Sequence, residues 1–334
     1  MPAGLGGSGY MALTFETAVG TYLPPTTGGT VFIPILDESV AYQEEKYLAR
    51  QIRQTTIAHD AKPSYYSVSG DVTLEVDPTF LPHLLYCSRH TIAKTGAGPF
   101  EYTFTPSSAG STSTAASGTV QRTCSLAFIR NGVGFGYAGC TLGGYEFTIE
   151  DGTLRMTAHV VGMSEVTPAG LGTPTWTAPN LYGAADNAIY IAAAAISPTF
   201  GAADVAHNGF TFSSNFNAEP QNRIRTDRSA SYVSFGETEA TYDTELDFLD
   251  KAEYDLYKAT TFRALRSLST HGGATFAAAT DAVEITINNS FYETYEVNLG
   301  GIGDLIMAGV TGHVIGIAGG NPYQIKVKSA VTIT

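Results

Sequence analysis

Residues 145–160 constrain the fold more than any other stretch of the chain. Tyr145, Phe147 and Ile149 alternate with Glu146, Thr148 and Glu150; after Asp151-Gly152, Leu154, Met156, Ala158 and Val160 alternate with Thr153, Arg155, Thr157 and His159. Period 2 on both sides of Asp-Gly predicts a β-hairpin, because both turn residues must adopt φ > 0. A two-residue turn pairs Glu150 with Thr153, Ile149 with Leu154, Phe147 with Met156 and Tyr145 with Ala158. Every apolar residue then meets an apolar partner on one face, and a one-residue slip would destroy the match. Just upstream, Gly134, Gly136 and Gly139 satisfy G-x-G-x-x-G. A dinucleotide loop needs a helix after the glycines, so that its N-terminus faces the phosphates. Alternation follows here instead, and the glycines are expected to bend a sheet.

The rest of the chain points the same way. Its 334 residues contain 36 Gly, 19 Tyr and 17 Phe but 1 Trp, a composition suited to short strands and many turns. Strands are expected in Tyr10–Ile35, broken by Pro24-Pro25 and Gly28-Gly29, in SYYSVSGDVTLEVD up to Pro78, in FEYTFTP (100–106) and in LAFIR. PTFLPHLLYC reads as a short helix with Leu81, Leu84 and Leu85 inward. LDKAEYDLYKAT reads as a second, with Ala252, Leu256 and Ala259 at helical spacing. Residues 1–9 form a small, glycine-rich arm, and 107–118 a low-complexity polar loop. Segment 36–62 is charged and poor in alternation. It reads as a long interaction loop, with a short surface helix around Tyr42–Gln54 as the other reading.

The second half echoes the first. SGDVTLEVD (69–77) answers TYDTELDFL (241–249), aligning Asp71 with Asp243, Leu74 with Leu246 and Glu75 with Asp247. A helix follows each. TLGG (141–144) then answers NLGG (298–301), and HVVG (159–162) answers HVIG (313–316). The expected organisation is an arm (1–9), a first β domain (10–165), a proline-rich connector (166–200) and a second β domain (201–334).

Composition excludes several functions. Eighteen basic residues against 31 acidic ones give a formal net charge of −13, and no Lys/Arg cluster offers a nucleic-acid patch. The densest basic stretch, Arg223 to Arg228, carries its own acid, Asp227. Cys87, Cys124 and Cys140 lack C-x-x-C spacing and read as reduced thiols. The N-terminus shows no signal-peptide pattern, and the longest apolar run, Ala188 to Ile196, is too short to span a bilayer. The seven histidines show no metal-ligand spacing, so no metal site is expected, and no nucleophile elbow is present. The one dense charge feature is acidic: on a strand, Asp243, Glu245 and Asp247 would share one face about 7 Å apart, a stripe that needs water beside it. Paired carboxylates could also serve glycoside hydrolysis. A carbohydrate-binding or Ig-like decoration protein of a virion or cell surface is the alternative function.

PSYYSVSGDVTLEVDPTFLPHLL, FEYTFTP, SLAFIRN…YAGCTLGGYEFTIEDG…MTAHVVG and the opening GSGYMALTFETAVGTYLPP resemble the tail tube (major tail) proteins of long-tailed, siphovirus-like phages. TYDTELDF and KAEYDLYKAT fit the same family's second half. The resemblance implies a mainly β fold: tandem β-sandwich or half-barrel units, each flanked by one helix, closing as a ring-shaped barrel. It implies a structural protein of the virion tail with no enzyme activity and no cofactor, assembled in the host cytoplasm as stacked rings that conduct double-stranded DNA without reading its sequence. Three chains in a pseudo-hexamer are favoured by the duplication, six being the other possibility. Further implied partners are the tape measure, tail terminator and distal tail proteins, with no membrane. On this reading Asp71, Glu75, Asp243, Glu245 and Asp247 face the lumen and repel phosphate. Asp37, Glu38, Glu44, Glu45, Lys46, Arg50 and Arg53 contact the next ring.

Overall fold

The computed structural model describes residues 9–49, 60–107, 122–168, 170–176, 178–203, 207–224, 227–248, 251–298 and 306–333. The first half of the chain runs β1 (Tyr10–Phe15), β2 (Val31–Ile33), β3 (Asp37–Glu38), β4 (Ala41–Ala49), β5 (Asp60–Glu75), α1 (Leu81–Tyr86), β6 (His90–Thr95), β7 (Phe100–Pro106), β8 (Cys124–Arg130), β9 (Val133–Glu150), β10 (Thr153–Gly162) and β11 (Ser164–Val166). The second runs β12 (Asn187–Ala193), β13 (His207–Asn215), β14 (Ala218–Gln221), β15 (Tyr232–Phe235), β16 (Glu239–Asp247), α2 (Ala252–Lys258), β17 (Arg263–His271), β18 (Asp281–Asn298), β19 (Met307–Val314) and β20 (Tyr323–Ser329). The fold is mainly β. Shared pairings link eighteen strands, and β14–β15 stand apart as a ribbon.

The β9–β10 hairpin adopts the register its alternation predicts, with Glu150 opposite Thr153, Phe147 opposite Met156 and Tyr145 opposite Ala158. Asp151 and Gly152 turn at φ 50° and 75°. A Cβ on Gly152 would lie 2.4 Å from the Ala184 Cβ, so this corner needs glycine for space as well as for φ. Gly134, Gly136 and Gly139 sit inside β9, an 18-residue strand whose first part pairs with β8 and β11 and whose second part pairs with β10 and β13. No helix follows them, so no phosphate cradle exists there.

One pairing pattern occurs twice. In the first half β5 lies between β4 and β10, β10 lies next to β9, the start of β9 pairs with β8, and β8 pairs with β1. In the second, β16 lies between β13 and β19, β19 lies next to β18, the start of β18 pairs with β17, and β17 pairs with β12. The irregularities match as well: register shifts fall at Cys124/Leu126 and Arg263/Leu265, and at His159/Val160 and Tyr292/Thr294. Asp71 lies opposite His159 and Asp243 opposite Thr311, which places these aspartates at equivalent points. The HVVG/HVIG alignment is off by two, since His313 lies opposite Thr241. NLGG extends outside the described residues. The halves join where β13 pairs with β9, Phe212 opposite Phe147 and Ser214 opposite Tyr145.

The core lies between this main sheet and the strands behind it. Leu74, Met156, Phe147, Phe212 and Tyr242 are each fully buried, stabilising the fold by roughly 1.5–3 kcal/mol per side chain. At its centre a polar chain crosses from one half to the other. Ser88 Oγ is 2.5 Å from His90 Nδ1, His90 Nε2 is 3.0 Å from the Tyr145 hydroxyl, Tyr145 donates to the Tyr323 hydroxyl at 3.4 Å, and Tyr323 meets Ser214 Oγ at 2.7 Å. Burial holds His90 neutral, lowering its pKa from 6.5 to about 3. The three cysteines are free and buried; burial pushes the Cys140 thiol up, and a hydrogen bond with Cys87, then burial, does the same for Cys124.

Three sequence expectations need correction. The described residues of segment 36–62 form no helix: they build β3, β4 and the start of β5, an antiparallel arm, and residues 50–59 lie outside the described residues. The expected connector 166–200 contains β12, which pairs with β17. Helix α1 does turn Leu81, Leu84 and Leu85 inward, but Ala252 at the start of α2 and Ala259 just past its end are exposed. Tyr254 and Tyr257 make the contact instead, with ring centroids 5.7 and 6.0 Å from Tyr295 of β18. Residues 1–8 and 108–121 lie outside the described residues.

Candidate functional site: an acidic sheet face between two open edges

Following one register line across the main sheet gives Glu75, Arg155, Thr148, Thr211, Asp243, Thr311 and Thr294, one residue from each of seven strands and every one polar. The next line gives Leu74, Met156, Phe147, Phe212, Tyr242, Gly312 and Tyr292, facing the core. Gly312 is obligatory there, because a Cβ would sit 2.0 Å from the Tyr242 ring. Strict alternation across seven strands therefore separates a wet, threonine-rich face from a dry one.

The structure brings the five sequence-predicted acids onto this wet face. Asp71, Asp243 and Glu245 are exposed, and Glu75 and Asp247 partly so. Glu146, Glu150, Glu239 and Glu296 join them by strand parity; Glu239 lies in the acid-dense stretch 237–255, and a sequence reading confined to that stretch and its repeat misses the other three. Their signal was the same alternation that fixed the hairpin. Arg155 is the only Lys or Arg among the described residues of this face, and its guanidinium already binds Glu150 at 3.0 Å. His159 Nδ1 is 2.6 Å from Asp71 Oδ1, and at the equivalent place Thr311 donates to Asp243 Oδ1 at 2.6 Å. A shallow concavity of about 520 Å³ lies over Thr148, Thr211, Asp243, Glu245 and Thr311.

The carboxylates are spread out rather than convergent. Neighbours two apart on β16 stand about 7 Å from each other, where repulsion in water costs about 0.6 kcal/mol. Among the described residues no group of three His, Cys, Asp or Glu is arranged to hold a metal. The face can carry a negative field over a wide area and little else.

Two edges flank it. Among the described residues no strand pairs with the outer side of β4, nor with the free side of the last part of β18, where Val297 is 37% exposed. The sequence-predicted contact residues sit along the β4 edge and divide into two groups. Glu38 is bound to Arg130 through both oxygens, at 2.5 and 2.6 Å, and Arg130 also donates to the Val40 carbonyl. Glu44 pairs with Arg228. These two acids hold the arm onto its own chain. Asp37, Glu45 and Lys46 are exposed and unclaimed by any such ion pair among the described residues; Arg50 and Arg53 lie outside them.

A family model described as phage tail tube protein matches residues 6–333, nearly the whole chain. No curated protein matches it.

Proposed function

Since the chain belongs to the phage tail tube protein family, a structural and non-enzymatic one whose members assemble into the tube of the virion tail, we propose that it polymerises as stacked rings whose lumen conducts double-stranded DNA. The observation that carries this reading is the β9–β13 junction. It joins two copies of one pairing pattern, which we read as tandem units of 10–165 and 187–334, β12 passing from the expected connector into the second unit. The equivalents of its two strands, β18 and β4, are the two open edges. Free edges are a liability unless a partner covers them, and here the partner's geometry is already drawn inside the chain. Copying Phe212–Phe147 and Ser214–Tyr145 to the open edges pairs Ala41 with Glu296, Tyr42 with Tyr295 and Gln43 with Thr294 of the next chain. Tyr42 and Tyr295 then fall on the core side, Ala41 and Glu296 on the wet side, as the alternation requires.

Six units close such a ring, so three chains suffice; six chains are the other possibility. The closed barrel carries Asp71, Glu75, Asp243, Glu245 and Asp247 on its inner surface, where they repel DNA phosphate and keep it from sticking. The inter-ring contact falls on the β4–β5 arm at Glu45 and Lys46, with Arg50 and Arg53 between its two strands in sequence, while Asp37 lies opposite Thr73 at the other end of β5. A tape measure protein fills the lumen during assembly, and the terminator and distal tail proteins cap its ends.

Cysteines at Ala41 and Glu296 test this reading. Oxidised assemblies of the double variant should run as covalent dimers and trimers on denaturing gels, and neither single variant should. A ladder reaching six supports the larger ring. Isolated monomers, or cross-links only from a register-shifted Ala41/Thr294 cysteine pair, refute the junction.

A further inference from the structure

The two short helices hold equivalent places in the two halves and meet different surroundings. α1 starts six residues after Glu75, and α2 five residues after Asp247, the position equivalent to Glu75. α1 buries Leu81, Pro82, His83, Leu84 and Leu85, whereas α2 buries none of its residues. What lies over them explains the difference. α1 is covered by the other half of the chain: it packs against β20, and His83 lies against the Thr332 backbone in the tail beyond that strand. Tyr102 fastens this tail, its hydroxyl accepting from the Ile333 amide at 3.0 Å.

α2 rests on its own half, with Tyr254 and Tyr257 against Tyr295 of β18. Because β18 carries an open edge, α2 stands at the rim of the chain. The surface around it is apolar and wet. Leu256 and Tyr257 are partly exposed, and Phe262, just past the helix, is 47% exposed. Near its start, Ile306 and Val297 are 39% and 37% exposed, Ile306 accepting from the Phe248 amide at 2.9 Å. Contiguous apolar surface of this kind marks a contact site. Seven residues without a side-chain N-cap also make a weak helix by themselves, so α2 needs a cover as much as α1 does.

The strand equivalent to β20 is β11. Each pairs antiparallel with the first part of a long strand, Glu165 opposite Tyr137 of β9 and Tyr323 opposite Ile287 of β18. β7 holds the other side of β20, and among the described residues no strand holds the other side of β11. β11 lies beside β5, on the β4 side of the chain, while α2 lies on the β18 side.

We infer that α2 and Phe262 form an outer lateral interface, docking under β11, Thr167 and Pro168 of a second copy as α1 docks under β20. This rests on the ring reading above and adds a second contact to the β4–β18 strand pairing. The two kinds of seam in the ring are then unequal. Inside a chain the β6–β7 hairpin reaches across to β20 beside α1. The second half has no such hairpin, since β17 starts five residues after α2 ends. The ring is therefore weakest between chains, at α2.

Benzoyl-phenylalanine at Asp255, the exposed α2 position equivalent to His83, tests the docking in the full chain. After assembly and irradiation, the expected product by mass spectrometry is an intermolecular cross-link to residues 164–168. Capture elsewhere on the neighbour, or within the same chain only, overturns the inference. Phe262→Glu should leave the urea midpoint of the unassembled chain unchanged and raise the concentration needed for rings at least about tenfold, a loss of about 1.4 kcal/mol per contact. An unchanged threshold overturns the role of Phe262 and α2. Assemblies that form the Ala41–Glu296 cysteine link without the Asp255 cross-link refute this contact alone. Assemblies lacking both links refute the ring reading beneath it.

Discussion

Acid should loosen this fold through its buried imidazoles, His90 and His83. In the unfolded chain His90 takes a proton near pH 6.5, and in the folded core only near about 3. Between those values the unfolded state holds one more proton, so stability is full above pH 6.5 and falls as the pH drops toward 3. Each pH unit in that window costs about 1.4 kcal/mol, so moving from pH 7 to about 4.5 removes roughly 3 kcal/mol through His90. His83, lowered to about 4 by burial, adds a loss of the same sign and similar size. His90→Phe removes the first contribution and keeps the second. It also takes a partner from Ser88 and Tyr145, which costs about 1–3 kcal/mol at any pH, so the informative quantity is the difference between the two pH values. Urea midpoints of the unassembled chain at about pH 7 and 4.5 measure it. The variant should show about half the acid loss of the parent. An equal loss in both would refute the argument that His90 is held neutral in the core.

Other perturbations read other parts of the structure. Phe147→Ala empties a fully buried position shared by β9, β10 and β13 and should cost about 3–5 kcal/mol in chemical denaturation. Gly152→Val forces a branched side chain into φ +75° against Ala184 and should lower the melting temperature, whereas Asp151→Asn should change it little. Reversing Glu245 and Asp247 to Lys leaves the core face untouched; tubes should form normally, DNA release from particles should slow, and unchanged release would remove these acids from the lumen.

Much of this was legible where one physical rule dominates. Asp151-Gly152 with matched alternation dictated a register to the residue, and Asp243, Glu245 and Asp247 shared a face because parity on a strand leaves no choice. Leu81, Leu84 and Leu85 marked the buried side of α1. Segment 36–62 was misread because its arm is wet on both faces near Tyr47 and Leu48, and because the register shift between Glu44 and Lys46 breaks what alternation remains. β12 hid in an alanine-rich run whose paired residues on β17 lie 70 to 82 positions away. Ala252 and Ala259 offered helical spacing, yet Tyr254 and Tyr257 won the contact because Tyr295 supplies a ring to stack on. The open edges had no sequence signal at all, since an edge is defined only by which strands are missing beside it.

The β6–β7 hairpin belongs to the first half of the chain but pairs through β7 with β20, and the Tyr102 hydroxyl donates to the Val331 carbonyl 229 positions later. Translation covers that distance in about 10–50 s. Until then the nascent molecule lacks the strand that locks its two units together, and the β9–β13 seam forms without that clamp.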